Sequence, residues 1–509
     1  MELTLQVFKR IGNVIFVFFL LFFAIRILQY HFHLISFPYP VSLREGSMMT
    51  NTDALVKGLN PYDMALQPRY TNQYGIIYPL LAWPWAKLFG TTIIVHRMLT
   101  AFFLFASCVL IFLVLNRMKT PLLLNIWTIL MLYASWLYPG TSTPTIDPGS
   151  TAMFFFLATI FIPWLCRYSY PSLIVSVLFG ILAYYTKPYT MLGIAVMASY
   201  IFLFVSRKKG FIYGALYLIL AVISILFVNR TCQSYFDNCF FALSNMSHAW
   251  STMERLQWQT GLYTGLHKWT LILIGAYILG YSWIRIRTLK TAGIRTKFHV
   301  PLVLYAGLCA AFVLYISLGR HNGATLWYFF QLLSPFFLIA AVWLFSRTTL
   351  WPILCVPFLV LNLYALTADL DHKWFNKDSF GWPDVSVLVS SHQHILNSSL
   401  IAPLLVEQNK DVYDNGQAEY FLPGGDRHSW MVHLSKEDPR VIVQHMLFFQ
   451  NIRNMVENKQ FDLIMLQPSL LPMGVADDVK KFYKYEGQLI VYAIQDRKPY
   501  AISVWLPLK

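Results

Sequence analysis

A chain of 509 residues that is 57% hydrophobic and only 12% charged is not a soluble protein, in which about a quarter of residues carry charge. The net charge of +15 does not point to nucleic acid, because the basic residues lie in short connections between apolar runs: Arg117 and Lys119, Arg207-Lys208-Lys209, and Arg285 to Lys297. That distribution marks the cytoplasmic ends of membrane spans and names membrane lipid as the partner.

Lys9 and Arg10 precede the first apolar run, about 12–33, and no small-residue cleavage site follows it. This is read as a retained first helix with a cytoplasmic N-terminus. The loop after it, 34–90, is the first outer loop and carries Glu45, Asp53 and Asp63 beside Arg44, Lys57, Arg69 and many aromatics. Within it, 74–89 is apolar but holds Pro79 and Pro84 and is flanked by Trp83 and Trp85. Proline costs a helix interior about 3 kcal/mol and tryptophan favours the interface, so a juxtamembrane helix is expected rather than a span.

Further spans follow at about 92–115, 121–138, 149–166, 171–186, 189–206 and 211–228, then a second large outer loop at 229–268. Spans at about 269–284, 300–318, 325–346 and 349–367 complete a set of eleven, with every basic cluster on one side. From about 369 to 509 the composition becomes that of a soluble domain. Short apolar runs at 385–390, 462–467 and 489–494 read as strands and 439–458 as a helix, giving an α/β domain that an odd span count places outside. The expected fold class is mainly α: a polytopic membrane domain, 1–368, plus an extracytoplasmic α/β domain, 369–509.

Four of the six cysteines, Cys108, Cys166, Cys309 and Cys355, lie in apolar spans as small core residues. Cys232 and Cys239 share the second outer loop, where an oxidising compartment would allow them to pair.

Acids beside a membrane are costly unless paired or functional. Glu45 and Asp147 both fall on the outer face and are the leading catalytic candidates, with Asp53 a weaker third, about 80° from Glu45 on a continuous helix. Glu45 also admits a plain ion pair with Arg44. Asp147 before Pro148 also fits the cap of the next helix. Lys187, Arg320 and His321 lie on the outer side against the positive-inside trend, which suits contacts to a phosphate, although headgroup snorkelling is the plain alternative. Tyr62, Asp63, Tyr74, Tyr78 and Tyr328 are the expected substrate contacts. No P-loop, GxGxxG, HExxH or CxxC motif occurs in a convincing context, which argues against nucleotide-driven chemistry and leaves dependence on a divalent cation open.

Taken in order, PVSLREG (40–46), LVKGLNPYD (55–63), YGIIYPLLAWPWAKLFG (74–90), HRMLTAFFLFAS (96–107), TIDPGSTAMFFFLA (145–158), AYYTKPYTMLGIAV (183–196) and HNGATLWYFFQLLSPFFLIAA (321–341) resemble the bacterial relatives of dolichyl-phosphate-mannose-protein mannosyltransferases, which have the GT-C fold. The resemblance implies an inverting transfer of sugar from a polyprenyl-phosphate donor to a glycan, lipid or protein acceptor in the cell envelope, at the bacterial inner membrane. It implies Glu45 as general base, Asp147 as the second acid and Lys187 as the phosphate lysine. The family more often has Asp-Glu where this chain has Arg44-Glu45, which keeps Asp53 and Asp63 in play. A lipid-linked oligosaccharide flippase and an O-antigen ligase or polymerase are the alternatives.

Overall fold

The computed structural model describes residues 2–72, 74–138, 144–241, 251–276, 302–313, 324–346, 355–371, 375, 381–414, 439–467 and 475–508. Helices dominate. Helix α1 (Glu2–Ser36) leads into the first loop, which itself holds α2 (Glu45–Val56) and α3 (Ile77–Phe89). Helices α4 (Ile93–Arg117), α5 (Leu122–Leu137), α6 (Gly149–Leu165) and α7 (Tyr170–Tyr184) follow. The sixth expected span is built from a 3-10 turn (Pro188–Met191), α8 (Leu192–Tyr200) and a π turn (Ile201–Val205), and α9 (Arg207–Thr231) comes next. Three later apolar helices are Leu302–Val313, Ala324–Phe345 and Val356–Ala368.

Among the described residues, four helices are long and apolar enough to cross a membrane: Gln6–Ser36, Ile93–Arg117, Pro188–Val205 and Arg207–Thr231. Six shorter apolar helices accompany them, and α1 and α9 expose apolar side chains such as Phe18, Leu21, Leu218 and Leu226 as a lipid-facing surface requires. The chain is a membrane protein. The expected helix near 74–89 is α3. Pro84 is tolerated inside it, and Leu80, Trp83, Trp85, Leu88 and Phe89 stay exposed. The expected spans at 269–284 and 300–318 are described only to 276 and 313.

Helix α4 packs on α5 and α6, α6 packs on α7 and α8, and α1 packs on α5 and on Val356–Ala368. A shared core including Trp127, Trp136, Phe156, Phe161 and Leu359 holds them.

The C-terminal domain carries a four-stranded sheet of β1 (Ile395–Asn397), β2 (Leu463–Leu466), β3 (Tyr483–Ala493) and β4 (Lys498–Pro507), in the order β1-β2-β4-β3. Strands β1 and β2 run parallel, while β2–β4 and β3–β4 are antiparallel. The expected strands at 462–467 and 489–494 fall on β2 and β3, and the expected helix at 439–458 is Pro439–Glu457. The expected strand at 385–390 is instead part of a helix, Trp382–Ser391. Gly381 in the left-handed conformation and Pro383 in the first turn start that helix, and Val385 and Val389, four apart, are buried while Val387 is exposed. Helical spacing decides the burial there, and the valine-rich composition misleads. Cys232 and Cys239 do not pair; the Cys239 thiol donates to the carbonyl of Tyr74 instead.

Candidate active site

Two buried carboxylate–cation pairs lie side by side where the first loop meets the connection between α5 and α6. The first is Glu45 with Arg97, both fully buried. Glu45 opens α2, and Arg97 lies in the second turn of α4. Glu45 Oε1 accepts from Arg97 Nε at 3.0 Å and from the Ile146 amide at 3.2 Å. Its Oε2 accepts from Arg97 Nη2 at 2.9 Å and from the Val41 amide at 2.9 Å. The remaining Arg97 donors go to the carbonyls of Leu34, Phe37 and Tyr39 at 2.9, 2.6 and 2.8 Å. All five guanidinium N–H groups are therefore used, and both carboxylate oxygens are doubly engaged. One ion pair ties the end of α1, the approach 37–41, the start of α2, α4 and the residue before Asp147 into a single knot. Arg44, the neighbour in sequence, is not the partner of Glu45.

The second pair is Asp147 with Lys187. Lys187 Nζ donates to Asp147 Oδ1 at 2.8 Å, and the same oxygen accepts from the Gly149 amide at 2.6 Å. Pro148, not Asp147, is the N-cap of α6, so Asp147 stands one residue before the expected cap position and takes the amide of the first helical residue, Gly149. Lys187 is buried between α7 and the 3-10 turn at 188–191 and lies 5.1 Å from the centre of the Tyr74 ring. Burial pulls its ammonium below the ordinary lysine value against the opposing charge of Asp147, and the Arg44 charge acts in the same direction as burial.

The first loop reaches Lys187 by a tight backbone approach. The Gly75 and Ile77 amides donate to the carbonyls of Thr186 and Tyr185 at 3.1 and 3.3 Å. A Cβ on Gly75 would lie 1.6 Å from the Tyr185 carbonyl oxygen, so only glycine allows Tyr74 to lie over the lysine.

Among the described residues, the buried polar atoms without a hydrogen-bond partner include Gln331 Nε2 and, in the first turn of α6 just after Asp147 in sequence, Ser150 Oγ and Thr151 Oγ1. A Cβ on Gly149 would be 2.8 Å from Asp147 Oδ1, 3.4 Å from Lys187 Nζ and 3.8 Å from Gln331 Oε1, which puts the three side chains around one small volume. Buried polar groups are normally satisfied, so a cluster of unmet ones beside an ion pair suits a polar ligand. An apolar groove of about 620 Å³ is lined by Leu333, Phe336, Phe337 and Ala340 on the helix that carries Gln331 and by Val303 and Gly307 on another.

Of the other expected site residues, Tyr74 is in the site, and Tyr78 is buried nearby with its hydroxyl donating to the His96 carbonyl at 3.3 Å. Asp53 is not brought to the pair; it bridges Lys57 one turn on, near the far end of α2. Asp63 is exposed and caps a 3-10 turn through the Ala65 amide. Tyr62 is core, its ring against Tyr235 and its hydroxyl accepting from Asn72. Arg320, His321 and the side chain of Tyr328 lie outside the described residues. Among the described residues no group of three His, Cys, Asp or Glu could hold a metal ion.

Sequence reasoning missed Arg97 and Gln331. A lone arginine inside an apolar span was itself the available signal for Arg97; Gln331, a neutral amide in an apolar helix, carries no comparable one.

No protein-family description matches the chain, and no curated protein matches it in sequence. Solved structures do. The chain is similar to ArnT from Cupriavidus metallidurans in the apo state, with a TM-score of 0.60 at 10% identity over 95% of this chain and 97% of that one. It is similar to the same protein bound to undecaprenyl phosphate, with a TM-score of 0.58 at 11% identity over 95% and 97%. An Archaeoglobus fulgidus oligosaccharyltransferase tethered to an acceptor peptide aligns with a TM-score of 0.45 at 9% identity, over 92% and 72%. The chain therefore has the GT-C fold.

Proposed function

We propose that the chain is a membrane glycosyltransferase that moves a sugar from a polyprenyl-phosphate donor to a cell-envelope acceptor, a glycan, lipid or protein, at the outer face of a bacterial inner membrane. The observation that carries the reading is the buried Asp147–Lys187 pair with Gln331 beside it, whose buried Nε2 finds no partner among the described residues. The helix that carries Gln331 also lines an apolar groove, in a fold shared with a protein solved with undecaprenyl phosphate bound.

The acceptor hydroxyl gives its proton to the Asp147 carboxylate as its oxygen attacks the anomeric carbon. The bond from that carbon to the phosphate oxygen breaks, and the electron pair leaves on the polyprenyl phosphate, next to the Lys187 ammonium. Attack opposite the leaving group inverts the anomeric centre, and one base is enough. Gln331, Ser150 and Thr151 supply hydrogen bonds to the sugar or phosphate and Tyr74 braces the lysine; Arg320 and His321, outside the described residues, are proposed as further phosphate contacts. The groove takes the prenyl chain: its lining on Ala324–Phe345 starts at Leu333, two residues past Gln331, and reaches Leu344, about 17 Å at helical rise.

Glu45 was the expected base. Its oxygens are engaged by Arg97 and two backbone amides, so in this proposal it positions the Asp147 loop and the proton passes to Asp147.

The test is transfer of labelled sugar from undecaprenyl-phosphate-linked hexoses and pentoses to a cell-envelope extract by the purified enzyme. Release of undecaprenyl phosphate in step with labelling of one acceptor fraction is expected. Failure to consume any of these donors contradicts the proposal.

A further inference from the structure

The turn of the β3–β4 hairpin, residues 494–497, is driven into the membrane domain. Ile494 and Gln495 are buried there. The Gln495 amide donates to the Val41 carbonyl at 2.9 Å, and its side-chain Nε2 donates to the Tyr138 carbonyl at 3.0 Å. The Asp496 carboxylate accepts from Ser42 Oγ at 3.0 Å, from the Leu43 amide at 3.1 Å and from the Tyr500 hydroxyl at 3.0 Å. Arg497 lies 5.1 Å over the Tyr138 ring and 3.5 Å from Asp369, which also accepts from the Tyr138 hydroxyl.

These contacts fall on two short segments. Val41 to Leu43 lead directly into Arg44 and Glu45, and Arg44 is close enough for its charge to act on both Lys187 and Tyr500. Tyr138 ends α5, where the connection to Asp147 begins. A second clasp lies beside the first: Glu407 of the C-terminal domain accepts from the Ile93 amide at 2.7 Å, one turn before Arg97, and Gly46 packs against Ser399 and Ala402. A domain that only covered the site, or only bound a partner, has no need to bond the backbone that leads into Glu45 and Arg97 and the residue that begins the connection to Asp147.

We infer that the hairpin tip is part of the active site, with Asp496 and Gln495 as positioning residues that fix the Val41–Glu45 segment and the Asp147 connection relative to one another. The inference rests on the Asp147–Lys187 pair being the reacting centre. Neither residue touches the reacting atoms; each acts through the backbone it holds. A carboxylate suits position 496 because the two groups facing it from the first loop are both donors, and it accepts both without a proton of its own.

The experiment compares full-length Asp496→Ala, Gln495→Ala and Asp147→Asn with the wild type, using labelled undecaprenyl-phosphate sugar and an envelope extract. Assays run at a temperature where circular dichroism shows every variant folded. A misplacement of about 1 Å costs on the order of 10²-fold in rate, so kcat is expected to fall by that order in Asp496→Ala and less in Gln495→Ala. KM for the donor and affinity for undecaprenyl phosphate are expected to stay within about twofold, since neither residue contacts the lipid. A purely structural role would leave kcat per folded molecule intact, and that result overturns the inference. Asp147→Asn separates the two claims. If it is inactive while Asp496→Ala and Gln495→Ala turn over normally, only the hairpin inference fails; if it is fully active, the reacting pair itself is wrong.

Discussion

Glu45–Arg97 and Asp147–Lys187 are both buried carboxylate–cation pairs, and they are separated by little more than one peptide, since the Ile146 amide that bonds Glu45 belongs to the neighbour of Asp147. They differ in what surrounds them. Every donor on Arg97 and both oxygens of Glu45 are matched within the chain, with only the neighbouring His96 Nε2 left over among the described residues, whereas near the other pair Gln331, Ser150 and Thr151 all leave buried polar atoms unmatched there. A saturated pair holds a shape. A pair in unsatisfied surroundings is ready for a ligand. Acidity near a membrane is therefore a poor guide to catalysis until the partners are counted.

The hardest way to break this contrast is to remove Arg97. Taking one member from a buried pair leaves an unpaired charge and costs about 3–5 kcal/mol, so Arg97→Met should lower the unfolding temperature sharply in detergent. Lys187→Met leaves the buried Asp147 unpaired as well and should also lower that temperature, but its folded fraction should lose turnover. A smaller effect is expected from Gln331→Leu, which removes a hydrogen-bonding amide from the site without touching either pair. It should reduce kcat/KM for the donor by roughly tenfold, the size of one hydrogen bond of about 1.4 kcal/mol, with no change in melting.

The smallest effect is one of pH. Burial lowers the Lys187 ammonium below its ordinary value, so the cation is present below that lowered value and is lost as pH rises through it. The rate should therefore fall on an alkaline limb that begins before the ordinary lysine range of about 10.4. Lys187→Arg keeps the charge at all these pH values, and its profile should lack that limb.

Much of the helical domain was legible in the sequence, because apolar runs of spanning length and clustered basic residues report on the lipid environment directly. The strand expected at 385–390 failed because a short valine run fits both periods, and Gly381 and Pro383 decided the matter. The site was legible only in part. Asp147 and Lys187 stood out as charged residues on the outer side and Tyr74 was an expected substrate contact, but their grouping depends on Gly75 meeting the Tyr185 carbonyl. The partner of Glu45 is 52 residues away in an apolar helix, and that of Ser42 is 454 residues away in a hairpin turn. No local pattern encodes either contact.

The most direct test of the account is a comparison of Glu45→Gln and Asp147→Asn by single-turnover transfer from undecaprenyl-phosphate sugar, scored per folded molecule. General-base removal costs about 10²–10⁴-fold, and the account predicts that loss for Asp147→Asn. It predicts that the folded fraction of Glu45→Gln, although smaller, stays within about tenfold of the wild type, one transition-state increment of about 1.4 kcal/mol. The reverse order, with Asp147→Asn active and folded Glu45→Gln inert, would contradict it.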